Sequence, residues 1–384
     1  MTSEERRECR YQRRKAHRRN AKALRLAAAD NFDVVFGYGN LYRAYKKCRC
    51  NVSWKASVQK YIVQAPTNVY TTWERLNSGQ YRSPGFFEFD VFERGKPRHI
   101  KSTVIGERVV QRCLCDNALV PALERSFVYD NGASLKNKGY DFTVRRITQH
   151  LHQHYRKHGN AGYILLFDFS RFFDNISHAL VKARLQRTFT DSKIVGITNH
   201  FIDMFGDRGM GLGSQISQVL ALASADRLDH YIKEALRIKG YGRYMDDGYL
   251  IHESKDYLKE CLAEIKCICK ELGIVLNEKK TQIVKLSHGF TWLKVRFFLT
   301  DNGRVIKRIC KQSITRMRRK MKKLRKKLNT GAITMTEIRN MWQSWYSGYA
   351  TRFNAYHTRN SMEVLYAKLF IGGCNDAVYQ SNQG

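Results

Sequence analysis

Three aspartates occupy positions from which their carboxylates could act on one substrate. Asp168 follows the apolar run 163–167, and Asp246 and Asp247 stand together in GRYMDDGYLI, residues 242–251. Two unit charges ~4 Å apart repel by about 4 kcal/mol even at an effective dielectric of roughly 20, so grouped carboxylates need a cation. Oxygen ligands suit Mg2+, and a pair of such ions can activate a hydroxyl and stabilise a pyrophosphate leaving group. The three acids therefore predict a site for two Mg2+ ions, which Mn2+ could replace, and phosphoryl-transfer chemistry.

The elements around these acids must bring two distant segments together. The apolar residues before Asp168 predict a strand covered on both faces, and Asn175 or Ser177 could cap the helix that follows. Neighbouring side chains on a strand point to opposite faces, so Asp246 and Asp247 can share a site only where the chain turns. The Asp-Gly dipeptide between two apolar segments predicts a hairpin with both acids at its tip.

Further elements can be placed around this site. The Gly-rich loop GMGLGSQISQ, residues 209–218, predicts a loop that leads into a long helix. Residues 104–127 have the pattern of an amphipathic helix, 254–284 predict a helix and then a strand, and 290–308 predict a second hairpin. An isolated Asp-Asp pair would more often cap a turn. Its combination with Asp168 and the intervening loop is far more specific and favours a site.

The charge of the chain points to a polyanionic partner. Lys plus Arg number 68 against 34 Asp plus Glu, a net charge of +34, which favours nucleic acid. Basic side chains concentrate in residues 1–30 and 301–330. In and near the second segment, apolar residues recur every three or four positions, which predicts a helix with one buried and one basic face. These apolar residues are Ile314, Met317, Met321, Leu324 and Leu328.

Other classes of protein are disfavoured by the sequence. It contains no run of 18 apolar residues and no apolar stretch of a signal peptide near its start, so we expect no membrane association and a cytoplasmic location. The ten cysteines lack the C-x-x-C spacing of zinc sites, and we assign them neither a metal nor a disulfide.

The order and spacing of the motifs resemble those of the reverse transcriptase family, over about residues 85–300 and more loosely to about 370. The resembling segments are FDFSRFF at 167–173 (first catalytic motif), GLGSQISQ at 211–218 (nucleotide-binding loop), YMDD at 244–247 (metal-binding hairpin), LNEKKTQI at 276–283 (strand with a lysine near the leaving group), FTWLKVRFF at 290–298 (hairpin that grips the primer end), and RGKPRHI at 94–100 with DNGASLKNKG at 130–139 (finger motifs).

The resemblance implies an α+β fold of the right-hand polymerase type, with fingers, a ferredoxin-like palm carrying an antiparallel sheet, and a helical thumb. On this basis we expect a basic N-terminal arm at 1–30, fingers at 31–160, a palm at 161–300, and a basic helical thumb with a C-terminal tail at 301–384. The implied activity is RNA-directed DNA polymerisation, with an RNA template, a DNA or RNA primer and dNTPs as partners.

The resemblance also assigns roles to individual residues. Asp168, Asp246 and Asp247 match the metal ligands, and the carbonyl of Phe169 would be a further ligand. Lys280, or its neighbour Lys279, would act on the pyrophosphate. The residues expected to contact the incoming nucleotide are Phe173, whose ring would exclude a 2′-hydroxyl, Leu212, Gly213 and Gln218 of the loop, Met245 of the hairpin, and the candidate triphosphate contacts Arg98 with Lys96, and Lys136 or Lys138.

Within the family, the loop most resembles that of the reverse transcriptases of diversity-generating retroelements of bacteria and phages. Most members have Pro and Gln where this chain has Gly211 and Leu212, and here the loop ends in Ser217-Gln218. The resemblance implies error-prone cDNA synthesis and a small basic accessory protein. An apolar residue in place of an amide removes one geometric check on the nucleotide.

Other functions remain open at this point. A defence-associated, retron-like or group II intron-like reverse transcriptase would share the same core motifs. A non-catalytic RNA-binding scaffold would fit the net charge equally well, although three acids without a cation would be destabilising.

Overall fold

The structure, a computed structural model, describes residues 2–93 and 96–371. The chain folds into two compact units built from interleaved segments. The first comprises the described residues among 1–146, 167–248 and 260–281, and the second comprises those among 147–166, 249–259 and 282–384.

The part of the chain before the first predicted catalytic strand is mostly helical. Its elements are α1 (Ser3–Leu26), α2 (Phe32–Val35), α3 (Tyr38–Cys48), α4 (Ala56–Val63), α5 (Ala65–Asn77), β1 (Phe87–Glu93), β2 (Lys96–Ser102), α6 (Ile105–Leu114), α7 (Val120–Leu123) and α8 (Tyr140–His158). A π-helical turn, Cys115–Leu119, joins α6 to α7. The amphipathic helix predicted for 104–127 is therefore confirmed, with its apolar face buried along α6.

The basic N-terminal segment forms one helix. Thr2 and Glu5 make reciprocal side-chain to backbone hydrogen bonds that start α1. Nearly all of the side chains of α1 that the structure describes are exposed, and burial begins only at Leu26.

The middle of the chain supplies strands and the helices that follow them. Its elements are β3 (Tyr163–Asp168), α9 (His178–Thr188), α10 (Ser192–Asp203), α11 (Gln215–Ser224), α12 (Asp226–His230), β4 (Gly240–Tyr244), β5 (Asp247–His252), α13 (Lys255–Glu271), β6 (Gln282–Lys285), β7 (Phe290–Trp292), β8 (Val295–Leu299) and β9 (Val305–Ile309). The helix α9 begins after Ser177, whose hydroxyl accepts the amide of Leu180 at 3.5 Å, so Ser177 rather than Asn175 is the cap.

Three sheets are present within the described residues. β4, β5, β3 and β6 form one sheet in that order, β1 and β2 form a hairpin, and β7, β8 and β9 form a third sheet. β3 and β6 run antiparallel, with Tyr163 opposite Lys285 and Leu166 opposite Gln282. Helices combined with antiparallel sheets confirm the predicted α+β class.

Two local predictions were incomplete. The long helix expected after the Gly-rich loop is broken at Ala225 into α11 and α12, and a π-helical turn, Tyr231–Ala235, follows. Asp226 and Asp229, which come directly after the break, are buried in ion pairs. The hairpin predicted at 290–308 is a meander of three strands.

The C-terminal helices pack around their own apolar cluster in the second unit. They are α14 (Lys311–Asn329), α15 (Met335–Tyr346) and α16 (Tyr356–Phe370). Met317, Met321 and Leu324 of α14 are buried against side chains of the other two helices, and Ile314 and Leu328 pack at the edge of this cluster. The predicted apolar face of this helix is therefore confirmed.

The predicted boundaries at 30, 160 and 300 stay predictions. Of the predicted C-terminal tail, residues 372–384 lie outside the described residues. None of the helices in the described ranges is both long and apolar enough to cross a membrane.

Candidate active site

Asp168 lies at the end of β3 and accepts hydrogen bonds from the segment that precedes β6. Its Oδ2 accepts a hydrogen bond from Lys280 Nζ at 2.7 Å, and its Oδ1 accepts one from Asn277 Nδ2 at 3.2 Å. Its backbone carbonyl accepts the amide of Asn277 at 2.8 Å. Asn277 also accepts the amides of Lys280 and Thr281, and this turn carries Lys280 back toward Asp168.

The second acidic segment lies beside the first. Met245 and Asp246 form the turn between β4 and β5, and Asp247 is the first residue of β5. The amide of Phe169 donates to the carbonyl of Asp246 at 3.0 Å. This bond joins the residue after Asp168 to the hairpin, so acids that are far apart in sequence meet at one place.

The turn itself differs from the predicted one. We expected the Asp-Gly dipeptide to form the tip, but this prediction is wrong, because Gly248 lies inside β5. The tip residue in the left-handed region is Met245, with φ 54°. Glycine is required at 248 for another reason: a Cβ there would lie 2.1 Å from Cζ of Phe167. The close approach of the Phe167 ring, not a turn, selects this glycine.

The three carboxylates are crowded and partly shielded from water. Burial raises the pKa of Asp246, and the charge of Asp168 raises it further, against the opposing charges of Lys280 and Arg98. Burial also raises the pKa of Asp247 to about 7, assisted by the charges of Asp246 and Asp168. A site with this excess of negative charge favours a cation.

Lys280 supplies the nearest positive charge. Burial lowers the pKa of its ammonium, but the hydrogen bond to Asp168 and the nearby carboxylates prevail and raise it. Its side chain is 56 % exposed, so the ammonium faces solvent as well as the acid. Of the two lysines proposed from the sequence, Lys280 is the one whose ammonium reaches Asp168, and Lys279 is exposed.

The donor atoms fit a hard divalent cation. Across residues 2–93 and 96–371, no three His, Cys, Asp or Glu side chains already stand as a metal-binding group. The side-chain donors at this site are nevertheless carboxylate oxygens, the ligand type that Mg2+ prefers. An ion at Oδ2 of Asp168 would share this oxygen with the ammonium of Lys280 or compete with it.

The Gly-rich loop is fixed at several points by hydrogen bonds to other segments. The amide of Lys101 in β2 donates to the carbonyl of Leu212 at 3.1 Å, and Ser134 Oγ donates to Gln218 Oε1 at 3.1 Å. Gly213 is exposed, has φ 111°, and approaches the Lys101 carbonyl so closely that a Cβ would lie 3.1 Å from it. The loop thus follows β2 with its Leu212-Gly213 backbone.

Two aromatic residues of the first motif have different surroundings. Phe169 is buried, whereas the ring of Phe173 is half-buried. The carbonyl of Phe173 accepts the amide of Met210 at 2.7 Å. This bond ties the segment after Asp168 to the start of the Gly-rich loop.

The predicted triphosphate contacts are placed unequally. Arg98 is exposed on β2, and its charge acts on the pKa of Asp246. Lys96 pairs with Glu93 in the same hairpin, but its side chain lies outside the described part of the structure. Lys136 is exposed.

Lys138 is engaged within the protein. Its ammonium donates to the carbonyl of Tyr129 and lies 4.1 and 4.0 Å from the ring centroids of Tyr129 and Phe142. Burial lowers its pKa. Of the two candidates in this segment, Lys136 is the more accessible to a phosphate.

Sequence reasoning missed several residues that support the site. Asn277 lies within the LNEKKTQI segment, and its position three residues before Lys280 was an available signal. Ser214 Oγ donates to Gln111 Oε1 at 2.9 Å, Gln111 Nε2 donates to Glu107 at 3.1 Å, and the hydroxyl of Tyr81 also donates to Glu107. This buried network joins the Gly-rich loop to α6, and no local pattern reveals contacts between segments about a hundred residues apart.

Comparisons with known proteins agree with the motif pattern. The reverse transcriptase (RNA-dependent DNA polymerase) family matches residues 93–297, just over half of the chain. No curated protein matches the sequence significantly.

Similar solved structures include three of telomerase. Apo telomerase from Candida tropicalis has 14% identity and a TM-score of 0.44, over 62% of this chain and 53% of that chain. The same protein truncated from its C-terminal domain has 14% identity and a TM-score of 0.46, over 64% and 60%. Telomerase from Candida albicans in complex with a TWJ fragment of telomeric RNA has 12% identity and a TM-score of 0.46, over 76% and 60%. The chain thus spans about half to three fifths of the length of these proteins.

Proposed function

Because this chain belongs to the reverse transcriptase (RNA-dependent DNA polymerase) family, we propose that it extends the 3′-end of a primer with dNTPs on an RNA template. The observation that carries the proposal is that Asp168 lies beside Asp246 and Asp247. Burial and mutual repulsion raise the pKa values of Asp246 and Asp247 there. Such a site has a strong electrostatic demand for divalent cations.

In the proposed reaction the acids would hold two Mg2+ ions, which Mn2+ could replace. Asp168, Asp246 and Asp247 are the side-chain ligands, and the Phe169 carbonyl is a further ligand. When bound, the metal supplies Lewis-acid stabilisation of the attacking and leaving oxygens. Asn277 fixes the rotamer of Asp168 through the Oδ1 hydrogen bond, which leaves its carboxylate oriented before substrate arrives.

Lys280 is placed for the other end of the reaction. Its ammonium is held at 2.7 Å from Asp168 and remains charged. At this position the ammonium would neutralise or protonate the pyrophosphate. Arg98 and Lys96 of β2, with Lys136, bind the triphosphate, and Lys138 supports the same segment from within.

Nucleotide choice is assigned to the Gly-rich loop and the first motif. Phe173 lies beneath the sugar and leaves no space for a 2′-hydroxyl, so deoxynucleotides are selected. Leu212, Gly213 and Gln218 of the loop and Met245 of the hairpin contact the incoming nucleotide. Two bonds of the loop support this assignment: the Lys101 amide holds the Leu212 backbone beside β2, and Ser134 holds the side chain of Gln218.

The finer assignment is to a retroelement that diversifies genes. The Gly211-Leu212 and Ser217-Gln218 pattern supports error-prone cDNA synthesis. The same assignment includes a small basic accessory protein as partner. It also includes a bacterial or phage origin and a cytoplasmic location. The domains are fingers at 31–160, palm at 161–300 and thumb at 301–384, preceded by the basic arm. Misincorporation concentrated opposite template adenines supports this assignment, whereas faithful copying favours the retron-like, defence-associated or group II intron-like alternatives.

A primer-extension assay tests the activity. Purified protein is given a primed RNA template, dNTPs and Mg2+, with and without candidate accessory proteins. Synthesis that falls at least about a thousandfold in Asp246→Ala supports the proposal, because a metal ligand contributes several kcal/mol to the transition state. Synthesis that survives this substitution contradicts it. Tight, salt-sensitive RNA binding without any synthesis supports an RNA-binding scaffold instead.

A further inference from the structure

We propose that Arg243, held by Asp229, is a positioning residue that fixes the Met245-Asp246 turn and thereby places Asp246 for catalysis. The inference deepens the proposed function and rests on it. The contacts that carry it lie within the first compact unit, and the side chains that make them are not those of the three candidate metal ligands.

The guanidinium of Arg243 has two sets of partners. Its Nε and Nη2 donate to the two carboxylate oxygens of Asp229 at 2.7 and 2.6 Å, and its Nη1 donates to the carbonyl of Met245 at 2.7 Å. Both side chains of the ion pair are fully buried. Tyr241 donates its hydroxyl to the same carboxylate. The planar fork of an arginine allows one side chain to bind the acid and aim a remaining donor at the turn.

The turn needs this support because its backbone is strained. Met245 has φ 54°, in the left-handed region that residues other than glycine seldom adopt. Such a conformation persists only where the surroundings over-determine it. Here two consecutive carbonyls are held: Met245 by Arg243, and Asp246 by the amide of Phe169 at 3.0 Å. The turn is therefore held by two hydrogen bonds, one from the Arg243 side chain and one from the amide of Phe169, the residue after Asp168.

Arg243 also anchors a third segment through its backbone. Its amide donates to the carbonyl of Asp130 at 3.2 Å, and its carbonyl accepts the amide of Gly132 at 2.9 Å. One residue of β4 thus connects α12, the segment at 130–132 and the acidic turn. These backbone bonds are ordinary strand pairing and would survive a substitution. Only the side chain of Arg243 binds the carbonyl of Met245, so a substitution tests its positioning role.

A stability role alone does not account for this pair. Replacing a buried ion pair with apolar side chains of similar size is often neutral or stabilising, whereas removing one partner is strongly destabilising. We therefore expect the fold to survive removal of the whole pair, so that the effect of the missing Met245 hydrogen bond can be observed by itself.

The test uses two variants that remove this hydrogen bond in different ways. Arg243→Lys keeps a positive charge for Asp229, but a lysine lacks the fork that reaches both partners. The triple variant Asp229→Leu/Tyr241→Phe/Arg243→Met removes the charges and the hydroxyl that would otherwise lose its partner.

A matched control comes from the same helix. Asp226, also buried, pairs with Arg184 through Nη2 at 2.7 Å. Arg184 also donates to Ser126 Oγ at 2.7 Å, and neither of these two partners belongs to the acidic turn. The variant Arg184→Met/Asp226→Leu removes an ion pair of the same residue types, in which the acid is buried and the arginine is 29 % exposed.

The first measurement is hydrogen exchange of the segment 243–248 in the folded proteins. We expect exchange at least about tenfold faster in both Arg243 variants and unchanged in the control, since loss of the Met245 hydrogen bond opens the turn locally. This measurement does not depend on synthesis, so it decides the positioning claim even if the chain proves not to polymerise DNA.

The second measurement separates kcat from KM for dNTP incorporation. We expect kcat to fall about ten- to a hundredfold with KM changed less than about threefold, because a supporting hydrogen bond of this kind sets the placement of a reacting group. Wild-type exchange and kcat in either folded Arg243 variant would overturn the proposal. So would failure of both to fold beside a folded control, since the pair would then be purely structural.

Discussion

Asp168 receives its partners from residues that follow it by more than a hundred positions. Asn277 binds Oδ1 and Lys280 binds Oδ2, so neither oxygen relies on water alone. The two bonds differ in kind: the amide is a fixed neutral support, whereas the ammonium is half-exposed and can leave. This division leaves a buried acid that is oriented by one residue and neutralised by another.

Replacing Asn277 with leucine, which has a similar size but no donor, tests the support. We expect kcat for nucleotide incorporation to fall about tenfold and the free energy of unfolding to fall by about 1–2 kcal/mol, because the variant lacks a hydrogen bond to a buried charged group. Steady-state primer extension and denaturant unfolding measure the two effects. An unchanged kcat in a folded protein would show that the amide does not orient Asp168.

Gly248 gives a second prediction at this scale. Gly248→Ala would place a methyl group 2.1 Å from Cζ of Phe167, so we expect a loss of about 1–3 kcal/mol or more of unfolding free energy. Gly196→Ala in α10 is the control, because its Cβ would meet open space, and there we expect a gain of about 0.5–1 kcal/mol. Denaturant unfolding compares them, and equal effects at the two sites would contradict the packing argument.

Several residues of the site show what the sequence could and could not predict about it. The acids were proposed because carboxylates at strand ends carry a chemical meaning that needs no coordinates, whereas Lys280 or Lys279 was proposed from the resemblance to the family. The turn was misplaced because Asp-Gly is a strong hairpin signal and the competing demand, the Phe167 ring, lies on another strand. The support from Arg243 depends on burial against Asp229, which no local pattern reveals.

At the scale of elements, the apolar period of α14 was sufficient to predict its helix and its buried face, because both follow from one local pattern. The break between α11 and α12 was not predictable in this way. The apolar run continues through it, and the aspartates that follow have partners elsewhere in the fold.

The exposed side of α14 gives a prediction about nucleic acid. Arg319, Lys322, Lys323 and Lys326 are exposed, and we propose that they bind phosphates of the template–primer duplex. Changing all four to glutamine should weaken binding and reduce the slope of log K against log salt by about 0.7–0.9 for each phosphate that the variant no longer neutralises. Fluorescence anisotropy across a salt series measures this slope.

A control for this prediction lies on the opposite face of α14. Met321→Ala should lower the free energy of unfolding by about 2–5 kcal/mol through a cavity while leaving the salt slope of the folded protein unchanged. An unchanged slope in the glutamine variant would show that this face of the helix does not bind phosphates.

For the whole molecule, the balance of charge is the dominant feature. The chain carries +34, yet its candidate active site gathers three acids whose nearest ammonium is already in use. We expect the excess of basic side chains to bind a polyanion, and the three acids to bind the cations that phosphoryl transfer needs. Positive charge that binds nucleic acid and negative charge that binds metal ions are both expected of a nucleic-acid polymerase.

The most direct measurement of this account is Mn2+ binding, followed by electron paramagnetic resonance in the presence of a primed RNA template and a non-hydrolysable dNTP. We predict two saturable ions per protein, with at least one absent in Asp246→Asn and in Asp168→Asn while the variants stay folded. Binding that these substitutions leave unchanged, or no saturable binding at all, would contradict the claim that the acids form the metal site of a DNA polymerase.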